Sequence, residues 1–297
     1  SPARDYVYAS RDRMDERYDM QRAVRDKHFK YIRYYEFTKP FVQYMNTPEK
    51  GAIMKEIRKA FEEGRLPEAG VKLMAENKPV EELFDLRNDP MELNNLAMDS
   101  EYAETLEKMR NAHLSWSSRV GDTGLIPEPI LRVWEEVHQQ PIYSIWRNNN
   151  IPVEEIQETA LSNSVALFTN NLSHDNEVVR YWASTGIGTY SDIADPELRS
   201  LLISLLADEY PSVQIAAARA LCKLGYEEIG LPTLTISLQN DDEWVRLNAA
   251  LVLDEIGEKS RPVKEKLKEV MTDDNKYVVR VVNHTLNELN GGNNIVE

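Results

Sequence analysis

At 297 residues, with 42% hydrophobic and 29% charged content, the chain has an ordinary globular composition and the length for two modest domains. A formal net charge of −15 argues against nucleic acid as a partner, because a phosphate backbone needs a basic surface. No uninterrupted apolar run approaches about 18 residues, so no membrane span is expected, and the single cysteine, Cys222, excludes an internal disulfide or a Cys-based zinc cluster.

The chain opens on Ser1-Pro2-Ala3-Arg4-Asp5, with neither an initiator Met nor an apolar signal core, so a segment upstream is expected and the compartment cannot be read. Charge is unevenly spread. Arg4 to Arg33 carries nine Lys/Arg against six Asp/Glu, a net of +3, whereas Ala160 to the end carries twelve against twenty-one, a net of −9. The acidic half reads as a solvated helical surface.

Tyr6-Val7-Tyr8-Ala9 has the aromatic and β-branched content of a short strand. Met20 to Asp26 and His28 to Tyr35 suggest an antiparallel hairpin turning at Asp26-Lys27. Thr47 to Lys78 is charged, with a helix expected at 52–63. Glu82 to Leu86 reads as a strand stopped by Asn88-Asp89-Pro90. A strong helix follows from Ser100 to Arg119, with Tyr102, Leu106, Met109, Ala112, Leu114 and Trp116 at helical spacing. Gly121 to Asn150, with Pro127, Pro129 and Pro141, reads as a connector packed on its neighbours, with a domain boundary near its end.

The second half repeats. Arg180, Gln214, Arg246 and Arg280 stand at matching places in four segments, and eleven residues beyond each comes Ser191, Gly225, Gly257 or Gly291, where a helix should stop. A second amphipathic helix precedes each, as at 196–207, 230–238 and 262–271, joined by acidic turns. A period of 32–34 residues with two helices per unit predicts a stacked α-solenoid, and this half resembles HEAT-like repeats over about 155–290. Asn240-Asp241-Asp242-Glu243 and Asp273-Asp274-Asn275 read as helix caps rather than calcium loops, lacking a central Gly and a closing Glu. Cys222 lies on the apolar face of a repeat helix, as a buried small hydrophobe or, less simply, a reactive thiol.

The densest charge lies at Arg11-Asp12-Arg13-Met14-Asp15-Glu16-Arg17, read as a loop following a strand. Arg11 and Arg13 could grip an anionic sugar while Asp15 or Glu16 accepts its hydroxyls; alternatively, the alternating signs pair with one another and with solvent. His28, His113, His138, His174 and His284 show no ligand spacing, and no Gly-X-Ser-X-Gly elbow is present.

The runs Arg11 to Glu16, Met20 to Asp26 and Lys30 to Arg33, followed by Glu81 to Pro90, Glu92 and Asn95-Leu96-Ala97, resemble the C-terminal region of sulfatases over about residues 4–125. The resemblance implies a small antiparallel sheet packed on a long helix, following an alkaline-phosphatase-like α/β domain. It also implies a formylglycine nucleophile, calcium, and hydrolysis of a sulfate ester on a carbohydrate. Cys222-Lys223-Leu224 does not match the Cys-X-Pro-Ser-Arg motif from which formylglycine is made, so nucleophile and calcium site are expected in a missing N-terminal domain.

The resulting expectation is an α+β unit at 1–125, a connector at 126–154 and a HEAT-like solenoid at 155–297. Together they would form the C-terminal portion of a sulfuric ester hydrolase, inactive alone, with no catalytic or metal-binding residues of its own. Such an enzyme from a bacterium would be periplasmic or secreted. An interaction scaffold, whose solenoid binds a protein or glycan, is the alternative. A hydrophobic face on the sheet or the long helix is expected where the missing domain, or another copy of the chain, would pack.

Overall fold

The computed structural model describes residues 4–148, 151–191 and 195–292. The chain divides into two compact units, 1–124 and 125–297.

The first unit is built on a four-stranded antiparallel sheet in the order β1 (Val7–Met14), β2 (Arg17–Arg25), β3 (Phe29–Tyr34), β4 (Glu81–Asp85). Between β3 and β4 the chain makes an excursion through α1 (Asn46–Lys50), α2 (Ala52–Glu62) and α3 (Glu68–Leu73). After β4 comes α4 (Ala103–Val120), closed by Gly121 in the left-handed region.

Register sets the faces. Tyr8 pairs with Val24, Val24 with Tyr31 and Tyr31 with Leu83, so one row crosses all four strands on the same side. That row meets Leu106 and Met109 of α4 in a core where Val24, Tyr31, Leu83 and Met109 are almost fully buried. Each such side chain contributes about 1.5–3 kcal/mol. The next row, Ala9–Ala23–Ile32–Glu82, lies on the opposite face. Beside it, Val7 is 53% exposed. That side is mixed, with exposed Arg25 opposite Val7 and Glu82 at the end of the row, while α4 turns its own apolar stripe inward.

The expected loop at 11–17 is not a loop. β1 continues to Met14, only Asp15-Glu16 turn, and β2 begins at Arg17, with Arg13 opposite Tyr18 and Met14 opposite Arg17. Asp15 takes φ +50°, which Asp tolerates and a tight hairpin turn demands. The register shifts between Arg11 and Arg13, where β2 sets two residues, Asp19 and Met20, against Asp12 alone on the edge strand.

The second unit is helical throughout its regular structure: α5 (Glu128–His138), α6 (Ile142–Asn148), α7 (Val153–Leu161), α8 (Val165–Asn171), α9 (Glu177–Tyr190), α10 (Pro196–Leu205), α11 (Pro211–Lys223), α12 (Glu227–Ser237), α13 (Glu243–Glu255), α14 (Lys264–Glu269) and α15 (Lys276–Leu289). The segment read as a connector is thus mostly α5 and α6. Its prolines mark helix starts, where a missing N–H costs nothing, with Pro129 in the first turn of α5. It is also packed: the Trp134 indole donates to Glu177 of α9, and the Trp182 indole donates to the Leu125 carbonyl at 2.8 Å.

α8 with α9, α10 with α11, α12 with α13 and α14 with α15 form successive pairs, and α9, α11, α13 and α15 stack in turn. The acidic and amide turns act as caps. Asn176 accepts from the Val178 and Val179 N–H groups, Asp242 from Trp244 and Asn275 from Tyr277. Gly225, Gly257 and Gly291 take positive φ of 90°, 53° and 74° at the expected stops, whereas Ser191 leaves its helix in extended backbone. The helix expected at 262–271 is shorter: 3₁₀ turns at Gly257–Val263 and Val270–Thr272 flank α14, Pro262 lying in the first of them.

The repeated arginine has a structural purpose. Arg180 grips Asp208 at 2.7 and 3.0 Å and also donates to the carbonyls of His174 and Asp175. Arg246 does the same with Asp273 and the carbonyls of Asn240 and Asp241. Each guanidinium closes its own turn and holds the turn of the next repeat. Gln214 reaches only its own turn, at the Asp208 carbonyl, and the link onward comes from Arg219, bidentate to Glu255 of α13. Cys222 is fully buried in this stack, and burial pushes its thiol up to about 12, so it behaves as a small apolar residue.

Candidate functional site

The charged hairpin end of β1 and β2 is tied down by partners distant in sequence. Glu16, 1% exposed, accepts from the Asn46 N–H at 2.6 Å at the entrance to α1. Arg17, also buried, donates through Nε to the Tyr44 carbonyl at 2.5 Å and lies over the Tyr44 ring. The turn is therefore latched onto residues 44–46.

Beside it runs a buried ion row. Asp19 receives Lys78 Nζ at 2.5 Å and stands 3.6 Å from Arg11 Nη1. The Lys78 ammonium has no solvent exposure, and it also faces the rings of Tyr34 and Phe41 at 5.7 and 5.9 Å. Burial lowers its pKa, with Asp19 opposing that shift.

On the α4 side, Arg22 is wholly buried and salt-bridged to two carboxylates. Its Nε and Nη2 donate to Asp122 at 2.6 and 2.8 Å, and Nη1 meets Asp12 at 2.7 Å. Asp122 also accepts from the Ser117 hydroxyl at 2.9 Å and the Gly124 N–H at 3.2 Å. Burial alone would raise the Asp122 carboxyl, but Arg22, Ser117 and Gly124 hold it below the usual carboxylate range. Nearby, His113 is buried with its Nε2 3.3 Å from the Tyr35 hydroxyl, and burial lowers it to about 4.

Of the four residues singled out from the sequence, three keep some exposure. Arg11 is 37% exposed at its side chain. Arg13 is half-buried and donates to the Asp15 carbonyl at 2.8 Å, and Asp15 is half-buried at the turn. Glu16 faces inward, which fits a latch on α1 and leaves no room for a sugar hydroxyl. Lys78, Asp19, Arg22 and Asp122 are the residues sequence reasoning missed. Lys78 lies 59 positions from Asp19 and Asp122 lies 100 from Arg22, so no local spacing could have joined them.

The hairpin thus offers two anion-matching forks on a rigid frame, without a nucleophile–base pair. Among the described residues, no group of three or more His, Cys, Asp or Glu could hold a metal ion, and no helix is long and apolar enough to cross a membrane.

Comparison with known proteins gives two kinds of match. The model for HEAT repeats matches residues 165–236 and, overlapping, 200–287. An ulvan-active sulfatase of Formosa agariphila is 38% identical over 143 residues, or 48% of this chain. A second ulvan-active sulfatase of the same organism is 32% identical over 102 residues, or 34% of this chain. The matched region spans 24% of the length of the first relative and 18% of the second, so the chain is similar to part of a sulfatase and carries HEAT repeats.

Proposed function

We propose that this chain is the C-terminal portion of a sulfuric ester hydrolase acting on a sulfated polysaccharide such as ulvan, inactive without a preceding catalytic domain. The observation that carries this reading is the 38% identity to an ulvan-active sulfatase over nearly half of the chain. The sheet packed on α4 agrees with the subdomain that follows the α/β domain in sulfatases. Formylglycine and calcium, supplied by the preceding domain, would provide the nucleophile and neutralise the sulfate. In this chain, Arg11 and Arg13 would bind the anionic groups of the sugar and Asp15 would accept a hydroxyl, while Glu16 and Arg17 keep the hairpin in place. A bacterial enzyme of this kind would work in the periplasm or outside the cell.

The test is to express the chain alone and joined to the coding sequence upstream of it, then measure sulfate released from ulvan. Release by the extended product alone is expected, with Arg11→Ala or Arg13→Ala lowering kcat/KM about tenfold or more. Release by the short chain, or an extended product inert on ulvan and other sulfated glycans, would overturn the reading. The scaffold alternative draws on Ile203 and Ile236, which are exposed at matching places one repeat apart.

A further inference from the structure

A cavity of about 640 Å³ opens beside the start of β1 and the end of α4. It is lined by Arg4, Asp5, Tyr6, Val7, Tyr8, Trp116 and Arg119. Its wall is aromatic. Tyr8 and Trp116 stack with centroids 4.9 Å apart and planes 6° from parallel, and Tyr6 leans on Tyr8 at 6.2 Å.

Its rim carries Arg4, Asp5 and Arg119, all exposed. Three other arginines of this unit are spent on carboxylates: Arg22 on Asp122 and Asp12, Arg58 on Glu49, Arg110 on Glu81. Among the described residues, Arg4 and Arg119 have no carboxylate within ion-pair distance. Two uncommitted guanidinium forks thus flank a rigid aromatic wall in a cavity of the size that holds a small ligand.

We propose that this cavity binds an anionic saccharide, with a sugar ring against Tyr8 and Trp116 and its sulfate or carboxylate held by Arg4 and Arg119. The aromatic wall suits the flat C–H face of a pyranose, the guanidinium forks suit a sulfate or carboxylate, and Asp5 can accept a hydroxyl. A single-stranded nucleic acid could use the same stacking and charge. The net charge of −15 opposes a polymer with one phosphate per nucleotide more than a sugar bearing isolated charges. The site is independent of sulfate ester cleavage and would let the chain hold a polysaccharide even if the hydrolase reading fails.

The experiment is calorimetric titration of the full chain with short dextran sulfate, with unsulfated dextran and oligodeoxythymidylate of matched length as comparison probes. Dextran sulfate should bind, and the R4Q/R119Q double variant should weaken it about tenfold or more at an unchanged melting temperature. Trp116→Leu, which keeps an apolar filler beside α4, should weaken it to a similar degree. The proposal is overturned if dextran sulfate does not bind, if either comparison probe binds as tightly, or if affinity falls in R11Q/R13Q while R4Q/R119Q is unaffected. Sulfate release from ulvan by the extended product is a separate readout, so failure of one idea does not pass for failure of the other.

Discussion

Replacing Asp122 with Asn removes the strongest counter-charge of a wholly buried arginine. Asp122 is 8% exposed at its side chain and accepts four hydrogen bonds: two from Arg22, one from Ser117 and one from Gly124. Asn is the same size, but it offers one accepting oxygen and turns an N–H₂ toward donors. Breaking a buried pair from one side costs about 3–5 kcal/mol, because the remaining charge is left in low dielectric. Here Asp12 still touches Arg22 at 2.7 Å, and the Arg11 and Gln21 carbonyls accept from it as well, so the lower end, about 3 kcal/mol, applies. For a unit of this size that lowers the melting temperature by roughly 10 °C. Hydrogen exchange followed on peptides covering 17–34 and 103–124 would read the first unit separately from the repeats. Asp12, 41% exposed, sets the comparison, since D12N should cost under about 1 kcal/mol. R22M/D122L should recover much of the loss, because an apolar pair leaves no buried charge. A D122N protein as stable as D12N would refute the idea that this buried cluster holds the sheet to the end of α4.

Acid adds a second signature at the same place. Because Asp122 is depressed in the fold, its stabilisation is present above about pH 4, its unfolded range, and is lost as pH falls through the lower folded value. His113 acts at higher pH. Held neutral down to about 4 against about 6.5 when unfolded, it contributes fully above pH 6.5, and roughly 3 kcal/mol should be lost between there and pH 4; pH-dependent melting of H113Q should be flatter across that window. Gly186→Ala should cost about 1–3 kcal/mol in the second unit, because a Cβ there would stand 2.4 Å from the ring of Phe168, itself 1% exposed; chemical denaturation checks it. Cys222, fully buried and pushed up to about 12, should resist a thiol reagent in the native protein and react at once in denaturant.

The repeats were legible because each one marks its own joints. An Asn or Asp cap before three of the four helices, an Arg or Gln four or five residues after the cap position, small residues along the helix and a closing Gly at three of the four ends recur at 32–34 residues. The hairpin was not legible in the same way. Arg11, Asp12, Arg13 and Arg17 sit on paired strands, yet their charge hides the alternation that would announce a strand. Arg11 meets Asp19, Asp12 meets Arg22 and Arg17 meets the Tyr44 carbonyl, and Asp19 and Arg22 are in turn balanced by Lys78 and Asp122 from outside the sheet. Pro127, Pro129 and Pro141 misled for a local reason: proline ends one element and can open another, and only packing of Trp134 and Trp182 tells which. Arg11 and Arg13 could be picked out from sequence, but that Glu16 points inward could not, since a turn carboxylate becomes a latch only when α1 arrives beside it.

The arginine clasps between repeats also bear on how such a chain can change over time. Arg180 reaches Asp208 and Arg246 reaches Asp273, 28 and 27 positions onward, and Arg219 reaches Glu255 at 36. Every one of these links joins neighbours, so a whole helix pair can be duplicated or lost while the clasp on either side finds an equivalent acid in the pair that replaces it. Deleting half a pair would leave an arginine facing the wrong turn. Length variation in this part of the chain should therefore come in steps of one repeat, and past Gln214 a new pair would have to offer an acid to Arg219 and Lys223 where Glu255 now stands.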